Sequence, residues 1–391
     1  MLQPDPNERF RLRRQRARRR RAVRRIVALA VLVFAVAASA LGTRFLTPDE
    51  RASGVREEKT SAAPRAPANP KPRPLPPEMR GIHVTMALLT LPGKLNQYLS
   101  YSRYGLNTLE LDVKDEHGKV AFRSRFAPLA RRIGAARSYY RPKPVARRVH
   151  DRGLYLIARV VVFEDPFLAS KRPDLAIGRS DGGVWTNYSG LAWTNPYDRR
   201  VWDYNVDVAE GAARAGFDEI MFDYVRFPSD GPIHDAVFPG RGKQRMAPTI
   251  ARFLAYARDR LNPVGVRVSA SVFGLSATRN LGIGQRPVLL APYLDVIYPM
   301  VYPSHFGPGE YGIQDPAANP AATITMSLRT FRRALRASET KLIPWLQDFT
   351  YGRRYTSADV EAQIEAARRM RAGGYLLWNA GGVYTVQALE R

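Results

Sequence analysis

The chain contains no cysteine. Disulfide staples, thiolate metal sites and cysteine nucleophiles are therefore excluded. An extracytoplasmic location stays open, because a large core needs no staples. There are only five histidines and no H-E-x-x-H or comparable spacing, so no bound metal is expected. No Walker motif occurs, and no nucleotide cofactor is expected. Carboxylates are scarce as well: 35 Asp and Glu stand against 61 Lys and Arg, a formal net charge of +26. What is present is apolar bulk. Of the 391 residues, 45% are hydrophobic, enough for a domain of about 250 residues or more.

The positive charge is uneven. Residues 1–25 hold eleven Arg against Asp5 and Glu8, a net +9. The other +17 lies in the rest of the chain and fits either an arginine-rich proteome or an acidic partner, such as an anionic polymer or a lipid surface. Ile26 to Gly42 is an apolar and small-residue run with Ser39 its single polar member. At about 1.5 Å per residue it reaches roughly 25 Å, near the lower limit for a bilayer. The division expected is a basic cytoplasmic segment 1–25, a transmembrane anchor 26–46, a Pro/Ala-rich linker 47–79 and a folded domain 80–391. Arginines before the apolar run place the N-terminus in the cytoplasm and the domain outside a single-pass membrane anchor. Ala38-Ser39-Ala40 also resembles a cleavage site, so secretion after signal removal is the alternative. The Arg18–Arg21 cluster beside an apolar run suits anionic lipid; no nucleic acid partner is expected. Pro64 to Pro72 is typical of the linker, which cannot build a core and reads as a disordered, semi-rigid spacer.

From residue 80 one theme repeats: an amphipathic helical stretch, a glycine, a short apolar strand, then a polar loop. Candidate strands are Gly81–Thr85, Thr108–Val113, Tyr155–Val162, Glu219–Asp223, Arg267–Val272, Asp295–Tyr298, Leu342–Leu346 and Tyr375–Trp378. Gly105, Gly153, Gly216, Gly265 and Gly374 fit helix terminators. The clearest helices are Pro196–Ala215, Pro248–Leu261, Pro320–Ala337 and Ser357–Ala372, with Ser357 as N-cap. Alternating strands and helices imply a parallel sheet. Eight units predict an α/β fold of the (β/α)8 TIM-barrel type, with an open doubly wound sheet as the alternative. About a dozen residues follow the eighth strand, so the last helix is short.

Barrel enzymes keep their chemistry where strands end. The second strand presents Glu110, Asp112 and Lys114 on one face by period-two geometry. The third carries Arg159 and ends at Glu164-Asp165-Pro166. The fourth ends at Asp223, with Arg226 three positions on. The fifth offers Ser269 and Ser271 but no acid. The sixth leads to Tyr302, the seventh to Trp345-Leu346-Gln347-Asp348, and the eighth to Trp378-Asn379. Planar acids and amides beside flat aromatic faces suit sugars. Hydrolysis of a glycosidic bond needs two carboxyl groups flanking it. Asp223 and Asp348, on opposite strands, make one geometric pair; Glu164 and Asp112 are competing second acids. Asp223 could equally pair with Arg226, Asp112 with Lys114, and Gln347 rather than Asp348 could point inward. Trp345 and Trp378 could be core or sugar platform. His83 and His305 read as hydrogen-bonded structural groups.

Seven ordered blocks resemble a known family: Arg80-Gly81-Ile82-His83, Leu111 to Asp115, Ile157 to Phe163, Gly216 to Pro228, Tyr298 to His305, Pro344 to Phe349 and Leu377 to Ala380. The family is a bacterial group of glycoside hydrolase-like domains of otherwise unknown function, with a Phe-Asp-Tyr-Val-Arg-Phe-Pro signature, assigned to the TIM-barrel glycosidase superfamily. The resemblance implies a barrel and a sugar substrate. In amylase-like barrels the aspartate of the fourth strand is the nucleophile, a role that would fall on Asp223. Their acid/base glutamate follows the fifth strand, where this chain reads Val272-Phe273-Gly274-Leu275-Ser276 and has no acid. The expectation is a membrane-anchored glycoside hydrolase of a cell-envelope or extracellular polysaccharide, contacting lipid through its anchor. Catalysis would rest on Asp223, Asp348 and Glu164. Asp112, Lys114, Arg159, Arg226, Tyr302, Trp345, Gln347, Trp378 and Asn379 would bind substrate. A non-catalytic glycan-binding protein and a structural envelope protein are the alternatives.

Overall fold

The computed structural model describes residues 70–390, which belong to one compact unit. The expected anchor 26–46, the basic segment and most of the linker lie outside the described residues. Among the described residues no helix is long and apolar enough to cross a membrane.

Eight parallel strands close into a barrel. They are β1 (Met79–Val84), β2 (Thr108–Lys114), β3 (Tyr155–Val161), β4 (Glu219–Asp223), β5 (Arg267–Phe273), β6 (Val296–Val301), β7 (Lys341–Leu342 and Trp345–Gln347, interrupted at Ile343-Pro344) and β8 (Gly374–Trp378). Each pairs with the next, and β8 returns to β1 through Met79↔Gly374 and Ile82↔Leu377. Every expected strand is present. The five glycines read as helix terminators all have positive φ, between 70° and 122°, a conformation only glycine adopts at low cost. Helices Arg199–Ala213, Met246–Leu261, Pro320–Ala334 and Ser357–Arg369 fill the expected intervals. The last is capped one residue earlier than expected: Thr356 and Asp359 form a reciprocal capping box, which satisfies two otherwise orphan amides. After β8 the final helix is a single short turn, Val386–Leu389.

The ordered barrel also starts slightly earlier than residue 80. Leu75 packs under the barrel interior, and Glu78 pairs with Arg368.

Period-two alternation divides the strands cleanly. On β4, Ile220 and Phe222 join the core beneath the helices, while Met221 packs inside the barrel with Tyr155, Ile157, Tyr298 and Trp345. Glu219 and Asp223 share the inward face with Met221. Asp223 reaches the mouth, and Glu219 stays fully buried near the floor. There the Glu219 carboxyl accepts from Ser269 Oγ (2.5 Å), Tyr298 Oη (2.8 Å) and Tyr155 Oη (3.2 Å). Burial pushes its pKa up to about 7, and the three hydroxyl donors only partly oppose this. Because the folded value is raised, the native state holds a proton that the unfolded chain releases. Stability contributed by this group is full below the unfolded value and declines as pH rises from about 4.5 to about 7, by roughly 3 kcal/mol. Wild type should therefore lose more thermal stability across that window than Glu219→Gln; parallel melting curves would contradict it.

Candidate active site

The mouth is organised around one guanidinium. Arg159 faces inward from the middle of β3, beside Asp112 of β2 in register and one inward step below Asp223 of β4. Its NH1 donates to Asp112 Oδ1 at 2.7 Å, and its Nε donates to Asp223 Oδ2 at 2.8 Å, with NH2 2.7 Å from the same oxygen. Glu116 Oε2 lies 3.6 Å from NH1. Arg159, Asp112 and Asp223 are buried, whereas the Glu116 side chain is 40% exposed and meets solvent.

The second oxygen of Asp223 accepts from Ser271 Oγ and, at 2.8 Å, from the Tyr224 amide. Burial alone would raise this carboxyl. The Arg159 charge outweighs it, helped by the Ser271 and Tyr224 donors, and holds Asp223 below the usual carboxylate range. Tyr224 takes φ 49°, a left-handed conformation outside glycine. Such backbone is costly and clusters at functional sites. It turns the chain sharply after β4, so that the Tyr224 amide faces the carboxylate beside it.

Glu164 follows β3, three residues beyond Val161, the register partner of Asp223. It is 4% exposed, and its Oε2 accepts from Asn187 Nδ2 at 3.3 Å. Burial pushes its pKa up to about 8. Arg226 pulls against this, and Asp230, Glu116 and Asp223 add to it. Two neighbouring acids are thus driven in opposite directions, the pattern that separates an acid from a base within one site.

An aromatic cluster lies at the ends of β6, β7 and β8. Trp378 of β8 is half-buried and stacks on Tyr302 with centroids 5.5 Å apart and planes at 29°. Phe349 meets Trp378 edge-on at 5.2 Å. His83, at the end of β1, lies 6.5 Å from Trp378 and donates from Nδ1 to Glu110 Oε2 at 2.8 Å. Burial would lower the His83 pKa, but Glu110 and Asp112 outweigh that and raise it.

Other expected site residues lie elsewhere. Lys114 leaves the mouth. The β2–β3 register shifts between Asp112 and Lys114, and one such slip reverses which face a side chain takes. Its Nζ instead pairs with Asp165 at 2.8 Å and donates to Val161 O and Asn205 Oδ1. Asp348 is held by the C-terminal segment, its two oxygens accepting from Thr385 N and Thr385 Oγ1, each at 2.7 Å. Gln347 is the inward neighbour, its Oε1 accepting from Ser304 N at 3.1 Å. Asn379 supports the same corner, donating to Asp348 O and accepting from Gly381 N. Trp345 is core, 1% exposed inside the barrel. Arg226 does not pair with Asp223. It stands 4.7–4.9 Å from the Trp193, Tyr224 and Phe273 rings and donates to Phe227 O.

Sequence reasoning passed over Glu116, and Ser271 as a ligand of Asp223; His83, read as a hydrogen-bonded structural group, is bonded to Glu110. Period two along β2 had put Glu110 on the inward face, and the same count along β5 could have aimed Ser271 at Asp223. Glu116 lies beyond the strand, where alternation gives no signal. His83, Glu110 and Asp112 also bring one potential metal-ligand atom each within 4.8 Å of one another. No single-strand spacing reveals this set, because it spans β1 and β2. Within the set only His83 and Glu110 are hydrogen-bonded; His83 Nε2 lies 3.9 Å from Asp112, whose bonded cation is Arg159.

A closed parallel barrel with buried acids and aromatic side chains at the carboxyl ends of its strands defines a (β/α)8 barrel with an enzyme-type mouth. The chain belongs to the family described as "Putative glycosyl hydrolase domain", whose profile matches residues 81–384. No curated protein matches it in sequence. Among solved structures it is similar to a hypothetical protein from Ruminiclostridium thermocellum, at 37% identity and TM-score 0.45 over 48% of this chain and 96% of that one. It is also similar to the PgaB (BpsB) glycoside hydrolase domain from Bordetella bronchiseptica, at 15% identity and TM-score 0.54 over 78% and 94%. The hyperthermostable endo-1,4-beta-D-mannanase from Thermotoga petrophila matches at 12% identity and TM-score 0.50 over 77% and 88%. The last two likenesses concern the fold.

Arg159→Met should leave two buried carboxylates without their cation and lower unfolding stability by about 3–5 kcal/mol. Glu164→Gln should cost less than about 1 kcal/mol at pH 7, since the native carboxyl is already largely neutral there. Denaturant titrations of both variants at pH 7 test this; an equal loss would contradict it.

Proposed function

We propose that the protein is a glycoside hydrolase acting on a cell-envelope or extracellular polysaccharide through two carboxyl groups. The observation that supports it is the opposed tuning of Asp223 and Glu164 on adjacent strand ends. Asp223, kept ionised by Arg159, serves as nucleophile or general base. Glu164, kept protonated by burial, donates to the departing glycosidic oxygen. The Trp378–Tyr302 stack offers a flat apolar face for a sugar ring. Glu116, the solvent-facing acid beside Arg159, is placed to meet sugar hydroxyls. Asp348 is left out, because Gln347 takes the inward position and the Asp348 oxygens turn to Thr385 of the C-terminal segment.

One observation favours a binding protein instead. Both Asp223 oxygens are already engaged, by Arg159, Ser271 and the Tyr224 amide, and a carboxylate so held is a weak nucleophile. Such a protein would bind polysaccharide saturably and release no reducing ends.

Anchoring by residues 26–46, with the barrel outside the membrane, belongs to the same proposal. Its support is the basic segment ahead of the apolar run. Protease added to intact cells should digest the barrel; protection until lysis would reverse the topology.

The pH profile separates the two carboxyl roles. Activity should be level above the lowered Asp223 value and fall as pH rises through about 8, where Glu164 loses its proton. Asp223→Asn should reduce turnover by at least about 100-fold. Glu164→Gln should lose the alkaline limb along with most of the rate. Reducing-end release from envelope polysaccharides is the readout, and an unchanged profile in Glu164→Gln would remove it as the acid.

A further inference from the structure

The charge outside the N-terminal segment is concentrated in one place. Residues 119–152, in the excursion after β2 and the helix Pro142–His150 that leads to β3, hold eleven Lys and Arg against Asp151 alone. That net +10 is most of the +17 outside residues 1–25. Some surface arginines elsewhere have acidic neighbours, as Arg279 has Glu310 and Arg369 has Glu365. This stretch supplies no such neighbours of its own, and most of its basic side chains are exposed.

The stretch is also concave. A groove of about 1120 Å³ is lined by Arg123, Arg125, Arg141 and Lys143, with Phe126 and Tyr140 between them. The guanidinium groups of Arg125 and Arg214 lie 4.9 and 4.6 Å from the Phe126 ring, which fixes their positions. The groove runs along the barrel flank to the end of the helix Arg199–Ala213. One lining side chain, Tyr140, donates from its Oη to the backbone oxygen of Asp112 at 2.9 Å.

We propose that this groove binds an acidic polysaccharide, one carrying uronate or phosphate groups. Unpaired cations supply a field that attracts a polyanion and weakens with salt. Interleaved aromatic faces suit sugar rings. A concave track fits a chain polymer better than it fits a flat lipid surface. The inference rests on the hydrolase reading only for the polymer being a glycan.

The test measures binding of the full chain to polygalacturonate, to neutral dextran and to phosphatidylglycerol vesicles, at two salt concentrations. The groove variant Arg123→Ser/Arg125→Ser/Arg141→Ser/Lys143→Ser is compared with an equal charge change elsewhere, Arg329→Ser/Arg332→Ser/Arg333→Ser/Arg336→Ser. The groove variant should bind polygalacturonate at least tenfold more weakly, the control variant less than threefold more weakly, and dextran should not bind. Equal loss in both variants overturns the proposal. So does a groove variant that loses vesicle binding while keeping polygalacturonate, which would make the partner a membrane. Asp223→Asn, measured alongside, keeps the two readings apart. Groove-dependent binding in a wild type that cleaves no polysaccharide leaves the groove standing and removes the hydrolase. Cleavage by a wild type whose groove variant binds normally does the reverse.

Discussion

The buried guanidinium of Arg159 is the constraint on which the mouth depends. It donates to Asp112 and Asp223 from within the barrel, where an unpaired carboxylate would be strongly disfavoured. Because Arg159 is fixed in the middle of β3, the acids of β2 and β4 are drawn toward one point. Burial pushes Asp223 up, and the same cation together with the Ser271 and Tyr224 donors outweighs that and keeps it ionised. Glu164 lies past the end of β3, beyond that cation's bonds, and burial takes its pKa the other way. Asp112 shares the Arg159 contact yet is raised by burial, so the lowered Asp223 depends on its Ser271 and Tyr224 donors as well as on the cation.

The surrounding fold serves this arrangement. The fifth strand has no acid but provides small hydroxyl side chains, and their size matters. Ser271 reaches Asp223, and Ser269 reaches Glu219, so β4 acids are satisfied by their β5 neighbours without a second charge. Lys114 lies outside the barrel and pairs with Asp165, the N-cap of the helix Pro166–Lys171. It braces the turn that carries Glu164. The long loops after β3 and β4 pair through the short strands Gly178–Arg179 and Ala236–Val237, which covers the side of the mouth where Glu164 is buried.

Much of this was legible from residues alone. Strand and helix positions follow from apolar periodicity and from glycines that need positive φ, and both signals are local. Asp223 and Arg159 were found because each sits on a strand where alternation fixes its direction. Legibility failed where local period two breaks. The register shift after Asp112 turned Lys114 outward, and the adjacency of Gln347 and Asp348 left either free to face inward. Pairing across strands was not legible either. Arg226 stands three positions from Asp223 in sequence, yet Arg159 on the neighbouring strand is its partner. The basic groove escaped notice for a different reason: the Lys and Arg of residues 119–152 are visible in the sequence, but only the folded chain shows that Arg123, Arg125, Arg141 and Lys143 line one concavity.

The central claim is that Asp223 and Glu164 hold opposite protonation states at neutral pH. Carboxyl carbon NMR of protein labelled at Asp and Glu side chains measures this directly, with Asp223→Asn and Glu164→Gln used to assign the two signals. The expected result is a Glu164 resonance that titrates near pH 8 and an Asp223 resonance already ionised below the usual carboxylate range. If both titrate together in the ordinary range, Arg159 does not divide the two acids and the two-carboxylate mechanism loses its physical basis.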